Sequence, residues 1–182
     1  MTDVMTSPIS FPVHVARLPK KGMPVRIDAD EAQRAALAQD HDLLSVNQLR
    51  VDLDVVGWKK GGVKVDGRVR AEIEQACVVT LEPVKEIIDQ PLSAIYLPEG
   101  SSLAVPKLSS EGEIILEAEG DDGPEIFSGD TIDVGQLAEE FFALAINPYP
   151  KKAGAALPTG AGQEDEKRGP LYEKLQALKN KS

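Results

Sequence analysis

Apolar residues recur at helical spacing over Val134, Leu137, Ala138, Phe141, Leu144 and Ala145, with Gln136, Glu139 and Glu140 off that stripe. This pattern predicts a helix from Asp133 to Ile146. Asp133 is placed as its N-cap, because a carboxylate accepts from the free amides of the first turn, and Gln136 is placed to complete a capping box. Ile132 and Leu137 have the spacing of a hydrophobic staple, and Pro148 stops the helix. Phe141 and Phe142 are two of the four phenylalanines in the chain, so this helix is expected to be a main core element. A second helix is predicted over Asp28 to Asp40, capped by Asp28 with Glu31 completing the box. It is rich in alanine and weakly apolar, and is expected to lie on the outside of the core against another face of the sheet.

Elsewhere the period is two. Ile9 to Leu18 alternates loosely and suggests a strand, and Val25 and Ile27 suggest another. Leu49, Val51, Leu53 and Val55 alternate with Arg50, Asp52 and Asp54, as a half-buried strand does. Trp58-Lys59-Lys60-Gly61-Gly62 marks a turn, after which Val63, Val65, Val69, Ala71 and Ile73 resume the alternation. The apolar run Cys77, Val78, Val79, Leu81 extends the strand reading to Pro83, so residues 43–81 read as an antiparallel meander. Pro91 to Leu97 and Ile114 to Leu116 are further candidate strands, with a Ser- and Pro-rich loop over 98–110. The fold class expected is α+β: an antiparallel, curved, barrel-like sheet packed by a few helices. Residues 1–150 are expected to form a single domain. Residues 151–169, rich in Gly, Ala and Pro, read as a flexible linker, and 170–182 as a short C-terminal helix spaced by Leu171, Leu175 and Leu178.

Composition narrows the class. Apolar residues are 42% and charged residues 27%, normal for a soluble globular chain. No apolar run approaches the ~20 residues that span a bilayer, and the N-terminus lacks the pattern of a secretory signal. A cytoplasmic protein without a membrane partner is expected. Cys77 is the lone cysteine, so no disulfide forms within the chain. The net charge of −10 argues against broad electrostatic binding to nucleic acid. The charge is uneven, however. Between Pro98 and Val134 ten acids face Lys107 alone, whereas between Leu49 and Arg70 six bases face three acids.

Candidate chemistry is sparse. Cys77 sits in an apolar stretch and reads as an inert, half-buried structural residue, since no base is placed beside it by local sequence. One Cys and two distant His do not make a zinc site, and the acidic run 117–123 lacks the closing Glu of a calcium loop. No phosphate loop, nucleophile elbow or catalytic carboxylate pair is present, so neither an enzyme, a cofactor nor a small-molecule substrate is expected. The basic stretch Arg50, Trp58, Lys59, Lys60, Lys64, Arg68 and Arg70 has two readings. Its cations contact RNA phosphates while Trp58 stacks on a base, or it is a solvated hairpin whose Trp packs on the sheet.

Three stretches together resemble a known family. They are Gln75-Ala76-Cys77-Val78-Val79-Thr80-Leu81-Glu82-Pro83-Val84, then Ile132-Asp133-Val134-Gly135-Gln136-Leu137-Ala138-Glu139-Glu140-Phe141-Phe142-Ala143-Leu144, and the ending Gly169-Pro170-Leu171-Tyr172-Glu173-Lys174-Leu175-Gln176-Ala177-Leu178-Lys179. They resemble the YceD-like family, the large ribosomal RNA subunit accumulation proteins, in the form found in alphaproteobacteria. The resemblance marks Cys77, Leu81, Pro83, Asp133, Gly135 and Glu140 as motif residues. It implies a non-catalytic bacterial factor for accumulation and assembly of large-subunit ribosomal RNA, with that RNA or its precursor particle as partner. The alternative is an adaptor whose acidic region engages a basic partner such as a ribosomal protein, with no RNA contact. Many relatives carry Cys-x-x-Cys in the first stretch and further Cys or His after the central helix, which suits a metal. Here Thr80 stands at the second position and Asn147-Pro148-Tyr149-Pro150-Lys151 follows the helix, so no bound metal is expected.

Overall fold

The computed structural model describes residues 6–103 and 123–155. Its elements run β1 (Pro12–His14), β2 (Met23–Asp28), α1 (Glu31–Asp40), β3 (Ser45–Gly57), β4 (Val63–Ala76), β5 (Pro83–Pro98), β6 (Glu125–Phe127), β7 (Thr131–Asp133) and α2 (Val134–Ala145). Single turns of 3₁₀-helix follow β1 and precede β4. The class is α+β. A five-stranded sheet has the order β2-β3-β4-β5-β6, antiparallel except for the β5–β6 pair, and β1 pairs with β7 in a separate two-stranded ribbon. The barrel-like curvature expected from the sequence is not found. The sheet is open, because its outer strands β2 and β6 do not meet.

One face of this sheet is apolar and the other charged, as strict alternation requires. Val51, Val55, Val65, Val69, Ile73, Ile88 and Leu92 point to the core side. Both helices pack on that side: Leu37 of α1 and Leu137, Ala138 and Phe142 of α2 join the same buried cluster. The helices therefore share a face, contrary to the separate faces expected. His41, just past α1, meets Phe142 of α2 edge-on with ring centroids 5.5 Å apart.

Helix α2 begins where its cap predicts. Asp133 Oδ1 accepts from the Gly135 and Gln136 amides at 2.9 and 3.0 Å. The Gln136 side chain does not complete a box. It turns instead toward Glu140, donating at 3.5 Å. The buried stripe is Val134, Ala138 and Phe142 with Leu137, and Leu144 is 81% exposed, so the apolar face is rotated from the expected one. Helix α1 starts two residues later than expected. Asp30 caps it, with reciprocal bonds to Gln33 of 2.8 and 2.9 Å. Asp28 is in β2 and accepts from Arg50 Nε at 2.5 Å.

Two strand expectations also change. The Ile9–Leu18 strand shrinks to the three residues of β1. The run Cys77–Leu81 is a turn rather than a strand, with Leu81 at φ 60°. Strand β5 is longer than expected and includes Pro91, tolerated because β6 covers its outer edge only at Tyr96–Pro98. The expected strand at Ile114–Leu116 and the C-terminal helix lie outside the described residues. The start of the expected linker is tied down: the Lys152 amide and ammonium are bonded to Cys77 and Glu82.

Candidate functional site

The open face of the sheet gathers most of the basic residues singled out in the sequence. Register sets them in rows across the strands. One row is Asp28, Arg50, Arg70, Asp89, and the next is Arg26, Asp52, Arg68, Pro91. The rows are linked by ion pairs. Asp52 accepts from Arg26 at 2.8 Å and from Arg70 at 3.2 Å, and Asp89 accepts from Arg68 at 2.7 Å. Lys64 pairs with Asp66 at 3.0 Å. Donation from Arg26 holds the Asp52 carboxyl below the usual range, and Arg68 does the same for Asp89. Arg50 is held above its ordinary value by its bond to Asp28. The adjacent like charges Arg50 and Arg70 are thus tolerated because carboxylates flank them in the sheet.

Trp58, Lys59 and Lys60 stand at one end of this face, in the β3–β4 turn. Trp58 is half-buried, and Lys59 Nζ lies 5.6 Å from the centre of its ring, within cation–π reach. Lys60 adopts φ 54° and its ammonium donates to Ser102 Oγ. Among the described residues neither lysine pairs with a carboxylate. Sequence counting between Leu49 and Arg70 missed Asp28 and Asp89, which come from the flanking strands.

The motif residues take structural positions. Cys77 is fully buried, and its sulfur accepts from the amides of Val79 and Thr80 at 3.5 Å and of Lys152 at 3.4 Å. These donors, Lys152 first and then the side chain and amide of Thr80, pull the thiol down to about 6 against its burial. The sulfur is therefore a polar anchor rather than the inert hydrophobe expected. Neither histidine reaches it: His41 pairs with Glu139 at 3.0 Å, and His14 meets Thr131 Oγ1 at 3.1 Å. The donor set does not fit a zinc site either. Cys77 is one thiol, Thr80 bonds it, and the described residues after α2 supply the Lys152 amide to the sulfur. Among the described residues, no group of three or more His, Cys, Asp or Glu side chains gathers to hold a metal.

Leu81 and Pro83 close the same turn, with Leu81 largely exposed. Asp133 does more than cap α2. It also accepts from the Ser10 hydroxyl and, at 2.8 Å, from the Phe11 amide. Burial alone would raise this carboxyl, but those donors outweigh it and hold it below the usual range. Gly135 lets the first turn of α2 lie against Ile9–Phe11, where a Cβ would sit 1.9 Å from the Ile9 carbonyl oxygen. Glu140 lies on the outer side of α2. It lines two concave sites, of about 350 Å³ with His41 and Glu139 and about 220 Å³ with Tyr96 and Glu125. Burial, then Glu140, pushes the Glu125 carboxyl up.

A family model described as large ribosomal RNA subunit accumulation protein YceD matches residues 65–179. The chain belongs to the YceD family. The match takes in β4 from Val65 onward, β5, the Cys77 turn, β7 and α2, which hold Arg68, Arg70 and all the motif residues, and Lys64 lies just before it. No curated protein and no solved structure matches the chain. The YceD description names accumulation of an RNA and no reaction. It places the chain with proteins of large-subunit ribosomal RNA accumulation, a role in ribosome biogenesis. Among the described residues, no helix is long and apolar enough to cross a membrane.

Proposed function

We propose that this chain is a non-catalytic factor for large-subunit ribosomal RNA that meets the RNA, or its precursor particle, with the open face of its sheet. The observation that carries the reading is the YceD match from Val65 through β4 and β5, which includes Arg68 and Arg70 of β4 on the open face. The charge on this face is nearly balanced, so binding is local rather than driven by the whole molecule. Exposed ion pairs are worth about 0–1 kcal/mol each, so a phosphate exchanges readily for Asp52 or Asp89 on an arginine. Lys59 and Lys60 at the turn have no carboxylate to displace among the described residues, and Trp58 beside them offers a stacking surface.

A second reading is favoured by the outer side of α2. Asp40, Glu139 and Glu140 line one concave site and Glu125, Asp133 and Glu140 the other, with no Lys or Arg in either among the described residues. Under this reading the chain is an adaptor for a basic ribosomal protein and touches no RNA. Charge reversal separates the two. Lys59→Glu, Lys60→Glu and Lys64→Glu together abolish co-purification of large-subunit RNA under the first reading. Unchanged RNA recovery from cells at moderate salt, with the folded variant, rejects it in favour of the second.

A further inference from the structure

The outer edge of β5 carries a self-complementary strand segment. Alternate residues of a strand aim their main-chain groups to opposite sides. Glu82, entering β5, accepts from the Cys77 amide on the β4 side, and Glu99, leaving it, donates to Phe127 on the β6 side. The β4–β5 register is unbroken from Val63↔Tyr96 to Ala76↔Pro83. Odd-numbered residues of β5 therefore face outward. Pro83 and Pro91 occupy such positions, where a missing N–H costs the ladder nothing. Between them Lys85, Ile87 and Asp89 turn their amides and carbonyls to an edge that β6 does not reach, and among the described residues nothing pairs with it. Ile87 is 79% exposed at the centre.

We propose that this edge pairs with the same edge of a second copy of the chain, antiparallel about a two-fold axis at Ile87. In that register Ile87 meets Ile87 of the second copy, and Lys85 faces Asp89 twice. Both arginines that bind Asp89 use Oδ1. Lys85 is well exposed, with only a 3.7 Å contact to Glu74. The three outward residues of each copy exchange about six main-chain hydrogen bonds. The prolines stop the ladder at both ends, which limits it to this segment and gives a closed pair rather than a growing sheet. The pairing joins two five-stranded sheets edge to edge and sets their charged faces side by side. The contact is short, so the dimer is weak and depends on concentration.

The test is sedimentation equilibrium of the full chain over a concentration series, with hydrogen exchange at the Lys85, Ile87 and Asp89 amides. The expected mass rises from 19.6 kDa toward twice that value, with protection of those amides rising in step. Lys85→Glu sets like charges opposite each other twice and weakens the dimer by about tenfold or more. Ile87→Lys does the same without touching the charge pair. Combining Lys85→Glu with Asp89→Lys restores association, and circular dichroism verifies folding of each variant. A mass of 19.6 kDa at every concentration overturns the proposal. So does a dimer indifferent to Lys85→Glu, or amide protection independent of concentration, which would mean that other residues of the same chain cover the edge.

Discussion

Gly135→Ala is a substitution for which helix propensity and packing give opposite signs. Gly135 is the second residue of α2, and replacing a helical glycine by alanine ordinarily stabilises by up to ~1 kcal/mol. Here the new Cβ would lie 1.9 Å from the Ile9 carbonyl oxygen and 2.7 Å from the Phe11 nitrogen, both main-chain atoms that no rotamer change can move. The Ile9–Phe11 segment must leave the helix. That breaks the Val134 amide bond to Phe11 and the Ser10 and Phe11 bonds to the Asp133 carboxylate. A neutral bond is worth about 1 kcal/mol and bonds to a charged group about 1.5–3 each, so after a propensity gain of up to ~1 kcal/mol the net loss is about 3–6 kcal/mol. Urea unfolding followed by circular dichroism reads this directly. A double-mutant cycle adds a sharper test, because Ser10→Ala should cost little once Gly135→Ala has already parted the segments. A Gly135→Ala protein as stable as the native chain would refute the reasoning, since the N-terminal segment would then not rest on α2.

Three further outcomes follow from the same packing and electrostatics. Phe142→Ala should lose about 3–5 kcal/mol in urea unfolding because the ring is fully buried. Leu144→Ala, two residues on but 81% exposed, should stay within about 0.5 kcal/mol of the native chain. The Cys77 thiol titrates near 6 when folded against an ordinary 9, so its contribution is full above pH 9 and is lost as pH falls toward 6. The melting-temperature gap between the native chain and Cys77→Ala should therefore widen from pH 6 to pH 9, and a gap that is flat or narrows would count against a thiolate anchor.

Local signals in the sequence located α2 and its Asp133 cap, and the alternation of β3 and β4 identified the core face. What failed locally was decided by partners far along the chain. Asp28 and Asp30 are equally good caps by type, and only the pairing of β2 with β3, which gives Asp28 to Arg50, assigns the cap to Asp30. Cys77–Leu81 reads as a strand because it is apolar, yet the turn is held by the Lys152 amide, 75 residues away. Pro83 reads as the end of one strand and Pro91 as the start of another, although both belong to β5, at positions facing an edge where no donor is needed. The apparent excess of the basic window shrank once Asp28 and Asp89 arrived from neighbouring strands. Closure of the sheet was likewise a long-range question, and β2 and β6 remain apart.

The most direct measurement is crosslinking in living cells, with the attached RNA sequenced and the modified peptides mapped. The account predicts dense crosslinks at one site of large-subunit ribosomal RNA, with adducts at Trp58–Lys64 and the adjoining arginines. Absence of RNA crosslinks, together with protein crosslinks from a basic partner on the outer side of α2, would contradict direct RNA contact and leave the chain an adaptor.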